Sequence, residues 1–373
     1  MRILQIIDSL EAGGAERMAV NYANALADVV AFSGLVVTRK EGALLNQVGK
    51  KVSYLFLNKK GTIDLKALFA LRKFALENRV EVIHAHSTSF FLAFLLKLIL
   101  PSLKLIWHEH YGARVNQSRT DNLVLFFSSF FFSSVFVVNH QLEDWVKKIL
   151  FMKKVFYVPN FATLDENQHK ETVLKGEFGK RIVCLANLKN PKNHIALLDA
   201  FEVLKLKDFG WSLHLIGKDY NDDYSNCVKK FIKKYDLENA VFIYNTRNDI
   251  QNILSQATIG VLCSKDEGFP VSLLEYGLAK LAVISTNVGY CSEIIKDNFS
   301  GYLFDPINSE QFQEQLQKLV LDKTQRDLFA LHLHKWVSEN YSIEKGVQLL
   351  ILKYNIINPK SNMTEDSNFV ESL

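Results

Sequence analysis

Cysteine is scarce in this sequence, and no hydrophobic run is long enough to cross a membrane. The four cysteines have neither C-x-x-C nor zinc-finger spacing, so neither a disulfide framework nor a structural metal site is expected. The two most apolar stretches, residues 90–100 and 123–138, are shorter than the roughly 20 apolar residues of a membrane-spanning helix. The chain opens on a strand-like run at Ile3–Ile7 without a basic leader, which predicts a cytoplasmic protein.

Excess charge is also lacking, because 44 basic residues face 40 acidic ones and the net charge is only +4. This balance does not indicate a nucleic-acid partner, although it allows a mild attraction to anionic surfaces. Hydrophobic residues make up 48% and charged residues 23%, as in folded soluble proteins. At 373 residues the chain exceeds one ordinary domain, so two hydrophobic cores are expected.

Short apolar runs alternate with helical patterns along the chain, which is typical of parallel sheets covered by helices. We predict an α/β protein with two Rossmann-like, doubly wound domains, over residues 1–162 and 176–340. The polar stretch 163–175 has no periodic apolar face and is predicted to be the linker. A last helix is expected over 341–357 and a flexible tail over 358–373.

Two adjacent glycines, Gly13 and Gly14, follow the first predicted strand. They would let a ligand approach the backbone, and the helix after them would offer N–H groups to an anion. The spacing is not the G-x-G-x-x-G of dinucleotide-binding folds. A plain strand-to-helix turn explains this loop equally well.

Histidines mark the ends of two predicted strands. His84 and His86 lie at the end of the strand predicted over residues 82–85, and His108 and His110 follow the strand predicted over residues 103–107. Ligands of parallel α/β sheets bind beyond the carboxyl ends of the strands, so His108 and His110 are site candidates. For His84 a structural hydrogen bond is the simpler role. A metal is not expected, because the sequence reveals no third ligand beside a histidine pair.

The most specific motif lies at residues 264–277, where a strand, a Gly/Pro loop and a helix follow one another. Backbone N–H groups after Gly268 and the start of the helix near Val271 would meet a phosphate. Glu267 and Glu275, about two helical turns apart, could line one crevice and accept hydrogen bonds from vicinal hydroxyls. Taken alone, such a pair could also be a capping acid and an unrelated helical glutamate.

With their surroundings, these motifs resemble the retaining glycosyltransferases of family 4, which have the GT-B fold. Glu267 and Glu275 match the family's E-x7-E motif, and the resemblance extends over nearly the whole chain, to about Asn355. The loop with Gly13 and Gly14 matches as well. The resemblance implies two Rossmann-like domains that face a central cleft, with the last helix crossing back to the first domain.

The resemblance also implies roles for individual residues. Glu267 would contact the hydroxyls of the donor sugar, and Glu275 would hold the ribose hydroxyls. His108 would help to place the donor sugar, with His110 as the second choice, and Lys192 would neutralise the leaving diphosphate. The other implied donor-binding residues are Gly13, Gly14, Asn187, Gly217, Thr246, Gly268, Phe269, Pro270 and Val271.

The chain departs from the family at Asn187, where an arginine is usual, so one expected phosphate contact is missing. Lys189 or Lys192 would then carry more of that charge compensation. Arg247, near the implied site of the nucleotide base, is interpreted as a surface residue.

The implied reaction moves a sugar from a nucleotide-sugar donor, a UDP- or GDP-sugar, to a saccharide or lipid-linked saccharide acceptor with retention. The implied setting is the synthesis of bacterial surface polysaccharide, such as lipopolysaccharide or capsule, and no cofactor or metal is expected. Rival interpretations are a nucleotide-sugar epimerase, a sugar phosphorylase and a non-catalytic nucleotide-sugar binding module.

The apolar stretches near residues 90–100 and 123–134, with several lysines at 147–154, motivate a peripheral contact with the anionic inner membrane on its cytoplasmic face. Helices buried on a parallel sheet are equally apolar, and this remains the alternative.

Overall fold

Two parallel β-sheets organise the chain in the computed structural model, which describes residues 1–163 and 170–359. The first sheet has seven strands in the order β3-β2-β1-β4-β5-β6-β7. These strands are β1 (Arg2–Ser9), β2 (Phe32–Lys40), β3 (Ser53–Phe56), β4 (Val82–His86), β5 (Lys104–Glu109), β6 (Ser134–Val137) and β7 (Val155–Tyr157). The helices between them are α1 (Gly14–Leu26), α2 (Leu65–Glu77), α3 (Phe90–Ile99), α4 (Leu123–Ser129) and α5 (His140–Leu150).

The second sheet has six strands in the order β10-β9-β8-β11-β12-β13. They are β8 (Arg181–Leu185), β9 (Ser212–Ile216), β10 (Val241–Tyr244), β11 (Ile259–Leu262), β12 (Ala282–Thr286) and β13 (Tyr302–Phe304). The helices that accompany this sheet and follow it are α6 (His194–Val203), α7 (Asp223–Lys234), α8 (Ile250–Ser255), α9 (Val271–Leu278), α10 (Cys291–Ile294), α11 (Ser309–Leu321), α12 (Lys323–Asn340) and α13 (Ile343–Ile357).

The strand order reverses once in each sheet, between β1 and β4 and between β8 and β11. Central strands such as β4, β9 and β12 are buried along their whole length. Helices therefore cover both faces, which explains why these strands do not alternate between buried and exposed residues. The predicted α/β class with two doubly wound, Rossmann-like sheets is confirmed.

The last helix, α13, packs on the first sheet although it follows the second sheet in the chain. Its buried residues Leu350, Tyr354 and Ile357 join one apolar cluster with Tyr22 of α1 and with Phe161. The expected crossing back to the first domain is confirmed. Of the predicted linker and tail, residues 164–169 and 360–373 lie outside the described part of the chain, and the predicted domain boundaries stay predictions.

A glycine on α13 allows this close packing. A Cβ at Gly346 would lie 2.3 Å from Cδ1 of Phe161. We expect Gly346→Ala to lower the free energy of unfolding by about 1–3 kcal/mol through overpacking, although alanine is the better helix former. Urea unfolding measures the difference. The control is Gly14→Ala, because a Cβ on that first residue of α1 meets nothing within 4 Å. Equal stability of the two variants would contradict this packing.

Candidate active site

A cavity of about 420 Å³ lies where the carboxyl ends of the two sheets face each other. Loops from both halves of the chain line it, as expected for strands that end at the same edge of a parallel sheet. The lining includes these predicted donor-site residues: Gly13, Gly14, Asn187, Lys192, Gly217, Thr246, Glu267, Gly268, Phe269, Pro270, Val271 and Glu275. Arg247 and Lys189 also line the cavity. The structure thus brings the predicted residues together with one exception, His108, while the role of each stays a prediction.

Glu267 and Lys192 form an ion pair on the cavity wall. Lys192 Nζ lies 2.6 Å from Glu267 Oε1, and the two side chains are 24% and 10% exposed. Ser264 donates a hydrogen bond to the same Oε1 over 2.6 Å. Because both partners are mostly withdrawn from water, the pair has a defined position in the cleft. It places a cation and a carboxylate where the loop 264–270 approaches the start of α9.

Glu275 lies within α9 and is paired across the cleft with a residue that the sequence had not singled out. Arg17 Nε, on α1 of the first sheet, lies 3.6 Å from Glu275 Oε1. Burial raises the pKa of Glu275, and the charge of Arg17 opposes that rise. Arg17 also lines the cavity, and its place three residues after Gly14 was the available signal.

Asn187 uses its amide to join the two halves of the chain. Its Nδ2 donates to the carbonyl of Ala12 over 2.8 Å, and its Oδ1 accepts from the N–H of Lys218 over 2.8 Å. Nearby, Lys218 Nζ lies 2.6 Å from Glu11 Oε1. A neutral side chain therefore ties the loop of Gly13 and Gly14 to the second sheet at the position where an arginine had been expected.

Two family models match the chain, Glycosyltransferase Family 4 over residues 12–166 and Glycosyl transferases group 1 over residues 165–331. The chain belongs to glycosyltransferase family 4. It is 25% identical over 95% of its length to the amylovoran biosynthesis glycosyltransferase AmsD of Erwinia amylovora, of which it covers 99%. It is 21% identical over 76% of its length to the UDP-Gal:alpha-D-GlcNAc-diphosphoundecaprenol alpha-1,3-galactosyltransferase of Escherichia coli, of which it covers 77%.

Solved structures show the same fold. HepE of Anabaena in complex with UDP and glucose superposes with a TM-score of 0.78 at 17% identity, covering 95% of this chain and 100% of that one. Sucrose-phosphate synthase of Thermosynechococcus elongatus gives 0.77 at 14% identity, with 96% and 100% covered. These likenesses confirm the GT-B fold. Among the described residues of this glycosyltransferase, no helix has the length and apolarity to cross a membrane.

The structure corrects the choice between His108 and His110 as the histidine that lines the cavity. Strand β5 continues to Glu109, so His108 is an interior strand residue with 0% exposure, and its Nδ1 lies 3.0 Å from Nε2 of His84. His110, just beyond the strand, lines the cavity instead. The predicted strand was two residues too short, which moved the expected edge of the site from His110 to His108. The hydrogen bond supports the structural role expected for His84.

A carboxylate missed in the sequence holds the backbone at His110. Glu109 is fully buried, pairs with Arg114, and its Oε1 accepts from the N–H groups of His110 and Tyr111 over 2.9 and 2.8 Å. Burial raises the pKa of Glu109, and Arg114 opposes the rise. These bonds fix the loop that presents His110 to the cleft.

Three buried histidines form the group of potential metal ligands that the sequence did not reveal. Ligand atoms of His84, His86 and His108 lie within 4.8 Å of one another. Their rings are stacked, however, with interplanar angles of 12°, 19° and 28°. Nitrogens of these rings already take part in hydrogen bonds, because Nε2 of His84 lies 3.0 Å from Nδ1 of His108 and Nε2 of His86 lies 2.8 Å from Oε1 of Gln5. The arrangement favours hydrogen bonding between the rings.

These histidines give the enzyme a pH-dependent stability. Burial lowers the pKa of His84, His86 and His108 well below the usual 6.5, and that of His110 to about 3. Below pH 6.5 the unfolded chain therefore binds more protons than the folded chain. The free energy of unfolding then falls by about 1.4 kcal/mol per pH unit for each histidine. The stability is present above pH 6.5 and is lost on acidification.

We expect His108→Gln to remove one of these buried imidazoles, and with it one proton that the unfolded chain binds at low pH. In urea unfolding, the difference in the free energy of unfolding between wild type and this variant should shrink by about 1.4 kcal/mol for each pH unit below 6.5. The control is His140→Gln, which removes an imidazole at the exposed surface. A constant difference between wild type and His108→Gln from pH 7 to pH 5 would show that His108 is not held neutral.

Proposed function

We propose that this glycosyltransferase moves a sugar from a nucleotide-sugar donor, a UDP- or GDP-sugar, to a saccharide or lipid-linked saccharide with retention of the anomeric configuration. The observation that carries the proposal is the pair of Lys192 and Glu267, 2.6 Å apart beside the start of α9 in a cleft between two sheets. A cation, a carboxylate and a helix N-terminus are what a sugar diphosphate requires. The relative that is named a UDP-Gal-dependent galactosyltransferase and the bound UDP and glucose of HepE support it.

In this proposal the diphosphate lies against the first N–H groups of α9 and against Lys192. The bond between the anomeric carbon and the phosphate oxygen breaks, and the lysine and the helix N-terminus compensate the charge that develops on the leaving group. The acceptor hydroxyl attacks from the same face and gives its proton to that oxygen. Because these groups already supply positive charge, the proposal includes no metal and no cofactor.

In this proposal, different residues of the cleft bind different parts of the donor. Glu267 binds the sugar hydroxyls, and Glu275 binds the ribose after exchanging its contact with Arg17 for the ligand. Gly217 and Thr246 border the base. The two sheets enclose the reacting atoms between them, which limits hydrolysis of the donor by water.

We expect the melting temperature of the wild type to rise with donors of one nucleotide class. The Glu275→Gln variant should bind that donor at least about tenfold more weakly, because it loses an ionised acceptor for the ribose, and so lose most of the rise. Glu310→Gln, on the exposed first turn of α11, is the matched control and should behave as wild type. No shift with any UDP- or GDP-sugar would contradict the proposed donor.

Products made with the donor identified in this way separate the remaining interpretations. NMR of a disaccharide product should show the anomeric configuration of the donor. Inversion would contradict the proposed mechanism, conversion of donor without acceptor would indicate an epimerase, and dependence on inorganic phosphate would indicate a phosphorylase.

We further propose that the acceptor is met at an anionic membrane surface, on the side of the first sheet formed by α3, α4 and residue 151. Packing on the sheet does not account for α4, which buries Leu125 but leaves Phe127 61% and the following Phe130 67% exposed. Phe151, 62% exposed, extends the same patch through Phe126, with ring centroids 6.2 Å apart. Exposed lysines flank Phe151 in the sequence, at 147, 148, 153 and 154. Such a patch rimmed by cations fits an anionic interface.

The double variant Phe127→Ser with Phe130→Ser should bind vesicles that contain phosphatidylglycerol at least about tenfold more weakly, because each buried phenylalanine contributes about 1.5–3 kcal/mol. Co-sedimentation at low salt measures the binding, and added salt should weaken it for wild type. The control is Phe178→Ser with Phe299→Ser, two exposed phenylalanines beside the second sheet. Wild type that stays in the supernatant at low salt would exclude the membrane contact.

A further inference from the structure

The wall of the cleft on the side of the first sheet carries side chains that have no task in the proposed binding of the donor. The residues to which the sugar, the ribose, the diphosphate and the base were assigned all belong to the second half of the chain. The first sheet also lines the cavity, with Ser87 after β4 and with His110 and Tyr111 after β5. Because a transferase brings two substrates together in one cleft, this wall is available to the second substrate.

Ser87 and Tyr111 share one part of this wall because their strands are neighbours. Strands β4 and β5 are parallel, and their register pairs His86 with His108. Ser87 directly follows β4, and Tyr111 lies two residues beyond the end of β5. The two turns are also joined by a hydrogen bond, since Nε2 of His110 lies 3.0 Å from Nδ1 of His86. Both side chains therefore lie at the carboxyl edge of the sheet, where ligands bind.

Tyr111 offers an aromatic ring on a fixed backbone. Its N–H donates to the buried Oε1 of Glu109 over 2.8 Å, and its carbonyl accepts from the N–H of Arg114 over 3.2 Å. Tyr111 is nevertheless 54% exposed, although it lines the cavity. A tyrosine ring that the protein does not cover provides a large contact area for a ligand at a low cost in conformational entropy.

Ser87 is strained. Its φ of 49° lies in the left-handed region, which residues with a side chain rarely adopt. Of the described residues other than glycine that have such a φ, Ser87 alone lines the cavity. Trp107 Nε1 donates to the Ser87 carbonyl over 2.9 Å, and Ser89 Oγ donates to the carbonyl of Ile6 over 2.7 Å, so the surroundings impose this turn. Imposed strain of this kind is concentrated at ligand sites.

The hydroxyl of Ser87 is free to bind a ligand. Its neighbours use their hydroxyls within the protein, since Thr88 Oγ1 donates to Asp8 Oδ2 over 2.6 Å and Ser89 Oγ donates to Ile6. None of the described residues forms a hydrogen bond with Oγ of Ser87. A serine hydroxyl can donate one hydrogen bond and accept two, so it suits a hydroxyl of a ligand.

A pyranose ring fits an aromatic ring beside a hydroxyl. Its C–H groups form an apolar face that packs on an aromatic side chain, and its hydroxyls at the rim form hydrogen bonds. An acyclic polyol has the hydroxyls but lacks the face. The pair of Tyr111 and Ser87 therefore favours ring sugars over other ligands that are rich in hydroxyls.

We propose that Tyr111 and Ser87 form the acceptor subsite, in which a pyranose ring packs on the aromatic ring of Tyr111 and one of its hydroxyls bonds to Oγ of Ser87. The identity of this sugar as the acceptor rests on the proposed function. Gly112, which follows Tyr111, packs against Gly268, which follows Glu267. The subsite therefore adjoins the proposed place of the donor sugar, so that the two sugars meet across the cleft.

Binding is tested without the reaction by NMR of the full-length protein, labelled with ¹³C in its tyrosine rings. The probes are the methyl α- and β-pyranosides of glucose, galactose and N-acetylglucosamine, with glycerol and ribitol as acyclic comparisons. We expect at least one pyranoside to shift the signal of Tyr111, assigned from its loss in Tyr111→Leu, in a saturable manner. Glycerol and ribitol should not shift it. The signal of Tyr235, which is 38% exposed but does not line the cavity, should stay unchanged.

Variants test the two contacts separately, with saturation transfer to the pyranoside as the measure of binding. Tyr111→Leu should bind it at least about tenfold more weakly because it loses the aromatic face, whereas Tyr235→Leu should bind as wild type. Ser87→Gly should bind about fivefold more weakly, the worth of one hydrogen bond, since glycine adopts the same φ without strain. Its control is Lys205→Gly, at an exposed residue with a φ of 52° just after α6.

A Tyr111 signal that no pyranoside shifts, an equal shift with ribitol, or unchanged binding in either Tyr111→Leu or Ser87→Gly would overturn the inference. Activity separates it from the proposed function. Binding of a pyranoside that depends on Tyr111 in a protein that transfers no sugar would support the subsite and refute the proposed reaction. Transfer to a pyranoside with the same KM in wild type and Tyr111→Leu would support the reaction and refute the subsite.

Discussion

The contact between two glycines is the constraint on which the cleft depends. A Cβ at Gly112, just after β5, would lie 2.6 Å from Cα of Gly268, and a Cβ at Gly268 would lie 2.6 Å from the carbonyl oxygen of His110. Backbone therefore meets backbone across the cleft, at a distance that no other residue type permits. Asn139 adds a hydrogen bond from its Nδ2 to the Gly268 carbonyl over 3.0 Å. The loop that carries Glu267 is thereby fixed against the loop that carries His110.

Much of this arrangement was predictable, because the carboxyl ends of the strands in a parallel sheet lie at one edge. Motifs that follow different strands are therefore brought together there. The alternation of apolar runs and helical patterns predicted both sheets, and the carboxyl-end rule with the E-x7-E resemblance assembled the donor residues. The histidine was misplaced for a local reason: the predicted strand ended at Trp107, whereas β5 ends at Glu109. His108 and His110 point to the same side, so the last residue of the strand alone decides which of them lies inside the sheet.

Other contacts could not be predicted, because they join residues far apart in the chain. Neither the partner of Glu275, which is Arg17, nor that of Asn187, the carbonyl of Ala12, has a signature in local sequence. Asn187 illustrates the difference, since the sequence showed only an absent positive charge. The structure shows a neutral amide with a donor for one half of the chain and an acceptor for the other, a role that a guanidinium, which only donates, could not fill.

A buried stripe of polar residues in the first sheet, formed by Gln5, His84, His86 and His108, could not be predicted either. Apolar residues at positions 5, 84, 86 and 108 would pack well under α1 and α13 and would avoid the unpartnered Nε2 of His108, which costs about 1–3 kcal/mol. Burial lowers the pKa of His110, which keeps this residue uncharged in the cavity that Glu267 and Lys192 also line, where an imidazolium would compete with the lysine for the carboxylate. Hydrogen bonds therefore connect His110, which lines the cavity, through the sheet to Tyr354 on the last helix.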